Sequence, residues 1–165
     1  MKTIPAILLM LVLSAAAFVT SRPKAVATDS VKPLKTAGDC TRLGDSVMAL
    51  IGQGQATNVY NLVEKHHAGS LEREQVVKSV EQSKAFAGVA GQMTGFELLS
   101  QRNVGPSILI LRYLEKHEKG AMLWTLRFYR PVDRWLIDGV QMVGRTDLGE
   151  LVNLVDGLDP AQGNR

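Results

Sequence analysis

The sequence predicts an α+β domain in which N-terminal helices pack on a curved four-stranded antiparallel sheet. Between residues 39 and 87, apolar side chains recur at the three- and four-residue spacing of amphipathic helices. Beyond Gly91 the apolar period changes to two, which is typical of strands that bury one face. Short turn sequences separate these strand segments, and short connections join antiparallel neighbours. Helices followed by such a meander indicate the α+β class.

The N-terminal segment 1–27 has the pattern of a secretory signal peptide. Lys2 precedes an apolar run from Ile4 to Val19, and a small-x-small cleavage pattern ends at Ala27. This run of 16 positions is shorter than the roughly 20 apolar residues of a spanning helix, although an uncleaved anchor is the alternative. We predict cleavage after Ala27, with Ala17 as the second choice. The mature protein is then periplasmic or secreted, with no stable membrane span.

The charge balance argues against nucleic acid as a partner. The chain has 19 Lys and Arg against 16 Asp and Glu. Lys2, Arg22 and Lys24 all lie in the predicted signal peptide, which has no acidic residue, so 16 of each sign remain after cleavage. A neutral domain lacks the excess of positive charge that binds a phosphate backbone.

The rest of the chain has the length of a single domain. We expect a flexible lead-in at 28–38, the domain at 39–158 and a tail at 159–165. Cys40 is the single cysteine, so an internal disulfide is excluded and packing alone has to stabilise the fold. A buried thiol is the favoured interpretation of Cys40, and a cross-link between two chains is the alternative.

Three helices are predicted before the sheet and a short one after it. Asp39 or Thr41 is the expected N-cap of the first, and Ser70 that of the third. Glycines mark the C-terminal ends of the first and third helices. The predicted helices span 39–52, 56–67, about 70 to 87, and 145–158.

Four strands are predicted after Gly91, and the turns between them set their pairing. With the turn of the second hairpin at Glu118-Lys119, Tyr113 faces Trp124. With the next turn at Pro131-Val132, Trp135 faces Phe128. The predicted strands span 92–102, 107–117, 120–130 and 134–144.

This pairing places the large apolar groups on one face of the sheet, which the helices have to cover. The opposite face is too apolar to be fully wet. Either the sheet curls around something or a second copy packs on it, and we expect a homodimer. The predicted opposite face carries apolar Ile108, Ile110, Leu114, Leu123, Leu136, Val140 and Met142, and polar Arg112, Thr125, Arg127 and Asp138.

The segment from Arg127 to Gln141 resembles a pattern of the nuclear transport factor 2-like superfamily. Phe128-Tyr129-Arg130-Pro131 is followed, after two spacers, by Arg134 and Trp135. The resemblance covers about residues 40–145, is closest to small exported bacterial members, and implies a cone whose helices wrap the concave face of the sheet around a pocket. Isomerases, dehydratases and non-catalytic proteins share this fold, so the fold does not decide the function. The isomerase trio of a carboxylate base, a Tyr and a protonated Asp has no matching positions here, so no catalytic residue is transferred.

Five residues are candidates for a ligand site. Arg112 and Arg127 can hold an anion bidentately, or pair with Asp138 or Glu97. Two aromatic residues can line an apolar pocket or belong to the core. Asp138 is a candidate general base, or the partner of an arginine in a cross-strand salt bridge. The candidate set is Arg112, Tyr113, Trp124, Arg127 and Asp138.

No metal site, cofactor motif or catalytic motif is expected. His66 and His67 are adjacent and point in different directions, which makes a poor metal pair. His117 is expected in a turn, without a third ligand at metal spacing. Gly52-Gln53-Gly54 lacks the preceding strand and the following lysine of a phosphate-binding loop.

Three functions are compatible with these patterns. The favoured one is an exported, non-catalytic domain that binds a small ligand or a protein partner in or around the cone pocket. The alternative is an isomerase- or dehydratase-like enzyme with Asp138 as general base. A structural accessory protein that packs through the apolar side of its sheet is the third.

Overall fold

The computed structural model describes residues 32–67, 69 and 72–145, and the α+β architecture expected from the sequence is confirmed in them. Three helices precede a curved antiparallel sheet whose strands follow one another in chain order. The predicted signal peptide, last helix and tail lie outside the described residues. The elements are α1 (Ala37–Gly52), α2 (Ala56–Glu64), α3 (Arg73–Ala90), β1 (Met93–Val104), β2 (Ile108–His117), β3 (Gly120–Tyr129) and β4 (Leu136–Arg145).

Helix α1 begins two residues earlier than predicted, because its N-cap is Thr36 rather than Asp39 or Thr41. The Asp39 backbone N–H donates to Thr36 Oγ1 at 3.1 Å, and the Thr36 backbone N–H donates to Asp39 Oδ2 at 2.8 Å. This is a capping box closed by an aspartate. The hydrogen bonds from Thr36 lower the pKa of Asp39 from 3.8 to about 2.

Helix α3 runs through Gly88 to Ala90, three residues past its predicted end, and Gly91 is its C-cap. Gly91 has φ 82°, a conformation that other residues rarely adopt, and a Cβ there would collide with Glu118. Its N-cap is Glu72, while Ser70 lies outside the described residues. None of the helices described here is long and apolar enough to cross a membrane.

The second hairpin has the predicted register. Tyr113 pairs with Trp124, and both side chains are fully buried. Helix α1 packs on β1 and β2, α3 packs on β3 and β4, and α2 contacts both of these helices. The helices therefore cover one face of the sheet, which we call the helix face, and we call the other the outer face.

The predicted register of the third hairpin is wrong. Phe128 pairs with Ile137 rather than with Trp135. Trp135 lies before β4 and forms an isolated antiparallel bridge with Leu34, whose carbonyl accepts the Trp135 backbone N–H at 2.7 Å. Leu34 belongs to the predicted lead-in, yet its side chain is buried in the core. Trp135 therefore lies beside Leu34, near the beginning of the described residues, instead of opposite Phe128.

A β-bulge in β4 changes which side chains reach the core. Asp138 is an extra residue, so that Gly139 is the Cα partner of Arg127. An extra residue reverses the alternation of side chains along the rest of the strand. Val140 and Met142 consequently pack into the core on the helix face, and their predicted place on the opposite face is wrong.

Candidate functional site

The structure divides the five predicted ligand residues between the two faces of the sheet. Tyr113 and Trp124 lie fully buried on the helix face. Arg112 and Arg127 line a recess on the outer face, and Asp138 is bonded to Arg127. The sheet separates the two sets, so the five residues do not form one pocket.

The hydroxyl of Tyr113 is used to attach the sheet to α1. It lies 2.9 Å from Asp45 Oδ1 and 3.2 Å from the Thr41 carbonyl oxygen, both of which accept. Gly44 makes this approach possible, since a Cβ there would lie 2.5 Å from the Tyr113 hydroxyl oxygen. Burial, together with the bond to Asp45, raises the pKa of Tyr113. Tyr113 therefore forms a structural contact between the sheet and α1.

A buried carboxylate that the sequence analysis did not single out lies on the helix face. Glu115 is 2% exposed and is bonded to residues of α3, β2 and β3. Its Oε2 accepts from Trp124 Nε1 at 2.6 Å, and its Oε1 accepts from Ser83 Oγ at 2.7 Å. His117 Nε2 lies 2.9 Å from the same Oε1. Glu115 lies two residues after Tyr113 on β2, and residues two apart on a strand face the same side of the sheet. This alternation could have predicted from the sequence that Glu115 faces the core.

Both ring nitrogens of His117 are engaged, and its predicted place in a turn is wrong. The residue ends β2, and its Nδ1 lies 2.9 Å from the Gly91 carbonyl oxygen. A carbonyl only accepts, so Nδ1 carries a hydrogen, and a second hydrogen lies between Nε2 and Glu115. The Ser83 hydroxyl donates to Glu115 rather than to His117. The nucleophile–imidazole contact of a catalytic triad is therefore not formed.

A cavity of about 200 Å³ lies beside this cluster. Its polar side chains include Gln53, Lys84 and Gln92, and Glu115 and His117 also contribute to the lining. The oxygens of Glu115 are already hydrogen-bonded to three residues within the fold. We interpret the cluster as a structural tie between α3 and the sheet, because a buried carboxylate is tolerated only when it is bonded in this way.

A second recess, which we call the arginine recess, lies on the outer face and has a volume of about 260 Å³. Arg102 and Arg127 are both cross-strand partners of Ile110, while Arg112 pairs with Thr125 in the adjacent row. Arg102 was not predicted as a site residue, because its position depends on the bulges that shift the β1 register. The recess is lined by Arg102, Ile110, Arg112, Thr125, Arg127, Gly139 and Gln141.

The bulge in β4 positions the guanidinium of Arg127. Arg127 Nε donates to Asp138 Oδ2 at 2.6 Å, so the salt-bridge alternative for Asp138 is the one observed. The two side chains are 48% and 40% exposed. Gly139 leaves room for the guanidinium, since a Cβ there would lie 3.3 Å from Arg127 Nη2. Among the described residues, no partner bonds to the terminal nitrogens of Arg127. Glu97, the other predicted partner, pairs with Lys116 at 2.9 Å.

The histidines and the cysteine do not form a metal site in the part of the chain that the structure describes, where no group of three potential ligands comes together. The His66 carbonyl accepts from Ile137, and His67 Nδ1 accepts the Gly69 backbone N–H at 3.0 Å. Burial lowers the pKa of His66. Cys40 is buried, and this burial raises its pKa to about 12, so the thiol stays neutral.

Comparison with known proteins gives two structural likenesses. No protein-family model and no curated protein matches the chain. It is similar to a protein named an NTF2-like transpeptidase from Campylobacter jejuni, with TM-score 0.47 and 13% identity over 61% of this chain and 97% of that one. It is also similar to a DUF4783 family protein from Bacteroides ovatus, with TM-score 0.39 and 10% identity over 61% of this chain and 94% of that one. Three helices followed by a four-stranded antiparallel meander in chain order form the α+β arrangement that the sequence led us to expect.

Proposed function

We propose that this protein is a non-catalytic domain that binds a small anionic ligand in the arginine recess. The observation that carries this proposal is the exposure and incomplete hydrogen bonding of the Arg127 guanidinium. Its side chain is half-exposed, and Asp138 occupies only its Nε. A guanidinium held from one side keeps its terminal N–H groups for a carboxylate or a phosphate, with which it forms paired hydrogen bonds.

The rest of the recess supports an anion rather than a cation. Three arginines line it, and none of its lining residues in the described chain is acidic. Thr125 and Gln141 add neutral hydrogen-bonding groups, and Ile110 adds an apolar surface. Arg102 and Arg112 have interactions of their own, so Arg127 is the residue on which the proposal rests. The volume of about 260 Å³ suits a ligand smaller than those of typical drug-sized pockets.

A neighbouring cavity differs in charge and is a poorer anion site. It has a volume of about 250 Å³ and shares Arg127, Gly139 and Gln141 with the recess. Its lining also includes the carboxylates of Glu72 and Asp138. Two acidic groups beside one arginine disfavour a second negative charge.

The enzymatic alternative gains no support from this geometry. A general base has to be within hydrogen-bonding reach of a substrate proton. Asp138, the candidate base, is instead bonded to Arg127. On the helix face, Glu115 and His117 are bonded to each other and buried.

Export and dimerisation remain predictions from the sequence, and we include export in the proposed function. Mass spectrometry of the protein recovered from an expressing bacterium would give the mature N-terminus. Cleavage after Ala27 is expected, with Ala17 as the alternative.

Sedimentation at several protein concentrations tests the predicted homodimer, and a single monomeric species at all of these concentrations contradicts it.

Isothermal titration calorimetry tests the binding site directly. Inorganic phosphate and succinate are titrated into the protein at low salt, where exposed charges are least screened. Arg127→Gln is expected to weaken binding by about tenfold or more, since a charged hydrogen-bonded contact contributes about 1.5–3 kcal/mol. Arg127→Lys keeps the charge but loses the paired geometry, so an intermediate affinity is expected.

Arg134→Gln is the matched control, because Arg134 is an exposed arginine outside the recess and the change in net charge is the same. Binding in this variant is expected to match that of the unmodified protein. Equal losses in the two glutamine variants would show a diffuse charge effect and would contradict the proposed site. Absence of binding by both anions at millimolar concentration would also contradict it.

A further inference from the structure

Part of the outer face is buried although the described helices all pack on the opposite side. Ala121 and Leu123 lie on the outer face and are each 2% exposed. Leu114 is the described hydrophobic residue that packs against them. We call these three residues the apolar half. A leucine on a sheet surface with one such neighbour would be largely exposed, so burial at this level requires a cover.

Strand β4 ends beside this apolar half. Arg145, the last residue of β4, is the Cα partner of Ala121. The residues after it carry apolar side chains mostly at three- and four-residue spacing, which forms one stripe on a helix. These apolar residues are Leu148, Leu151, Val152, Leu154, Val155 and Leu158.

The same segment carries charge complementary to the arginine recess. Residues 146–165 contain four carboxylates and a single cation, Arg165. The N-terminal residues 1–31, the other part of the chain outside the described range, carry Lys2, Arg22 and Lys24 against the single acid Asp29. Positive charge would be repelled by the arginines, so the C-terminal segment is the better match. Its carboxylates are Asp147, Glu150, Asp156 and Asp159.

We propose that residues 146–159 dock on the outer face, with their apolar stripe over the apolar half and their carboxylates toward the arginine recess. There the carboxylates compete with the anionic ligand. Leu123 and Arg127 lie four residues apart on β3, which corresponds to about 13 Å. Even in its most compact form, a helix, the stretch 148–158 is about 16 Å long. The segment therefore reaches both. The competition rests on the proposed function, whereas the docking does not.

Thiol labelling in the full-length chain tests the docking. Leu123→Cys reports on the apolar half, and Val132→Cys, at a residue that is 84% exposed, gives the unprotected rate. Cys40 is buried and does not contribute. In the Leu123→Cys background, Leu151→Asp with Val155→Asp is expected to raise the labelling rate about tenfold or more, because local opening then costs less. Asn153→Asp adds charge to the same segment off the stripe and is the control.

Unchanged labelling of Leu123→Cys after the Leu151→Asp and Val155→Asp changes would overturn the docking. The labelling rate of Leu123→Cys, with the rest of the chain unmodified, could instead rise when the protein is diluted. Such a rise would identify a second copy of the chain as the cover and would also overturn the docking. Ala121→Cys places a thiol in the same apolar half and changes the side-chain volume less than Leu123→Cys does. The labelling test can therefore be made with Ala121→Cys if Leu123→Cys does not fold.

Phosphate affinity in the full-length chain tests the competition. Neutralising the segment with Asp147→Asn, Glu150→Gln, Asp156→Asn and Asp159→Asn is expected to tighten binding of inorganic phosphate about five- to tenfold, the lower range of coupling between sites. The control neutralises four exposed carboxylates elsewhere, with Glu74→Gln, Glu81→Gln, Glu118→Gln and Asp133→Asn. A similar gain in both variants would overturn the competition. If no variant binds phosphate, the proposed function and the competition fail together, and the labelling result still decides the docking.

Discussion

The two faces of the sheet use their polar groups in opposite ways. On the helix face, Glu115 and the hydroxyl of Tyr113 are buried and bonded entirely within the fold. On the outer face, Arg127 is half-exposed and shares only one edge of its guanidinium with Asp138. A polar group that is buried has to be fully paired, whereas a half-exposed one can keep donors in reserve. Binding capacity is therefore expected where the structure leaves pairing incomplete.

The largest expected effect is on the helix face, at the buried carboxylate. Glu115→Ala removes the shared hydrogen-bond partner of Ser83, His117 and Trp124. Breaking a buried charged contact costs about 3–5 kcal/mol, so the free energy of unfolding measured in urea should fall by at least about 3 kcal/mol.

Glu97→Ala is the control for this change, since its exposed pair with Lys116 contributes less than about 1 kcal/mol. Glu115→Ala could instead lower the free energy of unfolding as little as Glu97→Ala does and alter ligand binding. The functional group would then lie on the helix face, which would contradict the difference between the two faces described here.

The contact between α1 and Tyr113 is the next test. Gly44→Ala places a methyl group 2.5 Å from the Tyr113 hydroxyl oxygen, and overpacking of this kind costs about 1–3 kcal/mol. Gly88→Ala is a matched change in α3, where a Cβ would meet nothing within 4 Å. It is expected to stabilise the helix by up to about 1 kcal/mol. Thermal unfolding of both variants measures the difference, and a shift of the same sign in the two would contradict the packing described here.

A smaller effect is expected on the outer face from Gly139→Ala. The new methyl group lies 3.3 Å from Arg127 Nη2 and has to displace the guanidinium slightly. Phosphate affinity should fall about threefold, while the free energy of unfolding should change by no more than about 0.5 kcal/mol, as for most surface substitutions. An effect on phosphate affinity without an effect on stability would distinguish the outer face from the helix face. A loss of stability without a loss of affinity would contradict it.

The smallest expected effect concerns acid. The folded-state pKa of Asp39 is about 2, below its ordinary value of 3.8. A depressed carboxyl pKa stabilises the fold above the ordinary value, and this contribution is lost as the pH falls from about 4 toward 2. Asp39→Asn should therefore lose stability relative to the unmodified protein at pH 6, with the difference narrowing toward pH 2. Urea unfolding across this range measures it, and a constant difference would contradict the capping assignment.

The register of the second hairpin could be predicted because its turn is short and every large group falls on one side. Glu118-Lys119 fixes the pairing, and any slip would move Trp124 to the other face. The third hairpin could not be predicted in this way. Trp135 has the composition of a strand residue but bridges to Leu34, and the bulge at Asp138 has no comparable sequence pattern.

The candidate site was predicted only in part for a related reason. Arg127 and Asp138 were identified because charged residues within an apolar strand stand out. Glu115 was overlooked, although the alternation that places Tyr113 inward also places Glu115 inward. A charged residue is rarely buried, so its pairing with Ser83 and His117 depends on tertiary contacts that no local pattern contains.

The bulge in β4 also limits how the recess can change during evolution. Deleting Asp138 would remove the bulge, but Gly139 and Val140 would then follow Ile137 in simple alternation and keep their present faces. The deletion would thus remove the carboxylate that accepts from Arg127 Nε and would leave the hydrophobic interior in place. Substitutions at Thr125 or Gln141 leave the alternation intact. Loss of the bulge residue would therefore alter only the anchoring of Arg127, and the walls of the recess would change through substitution of their residues.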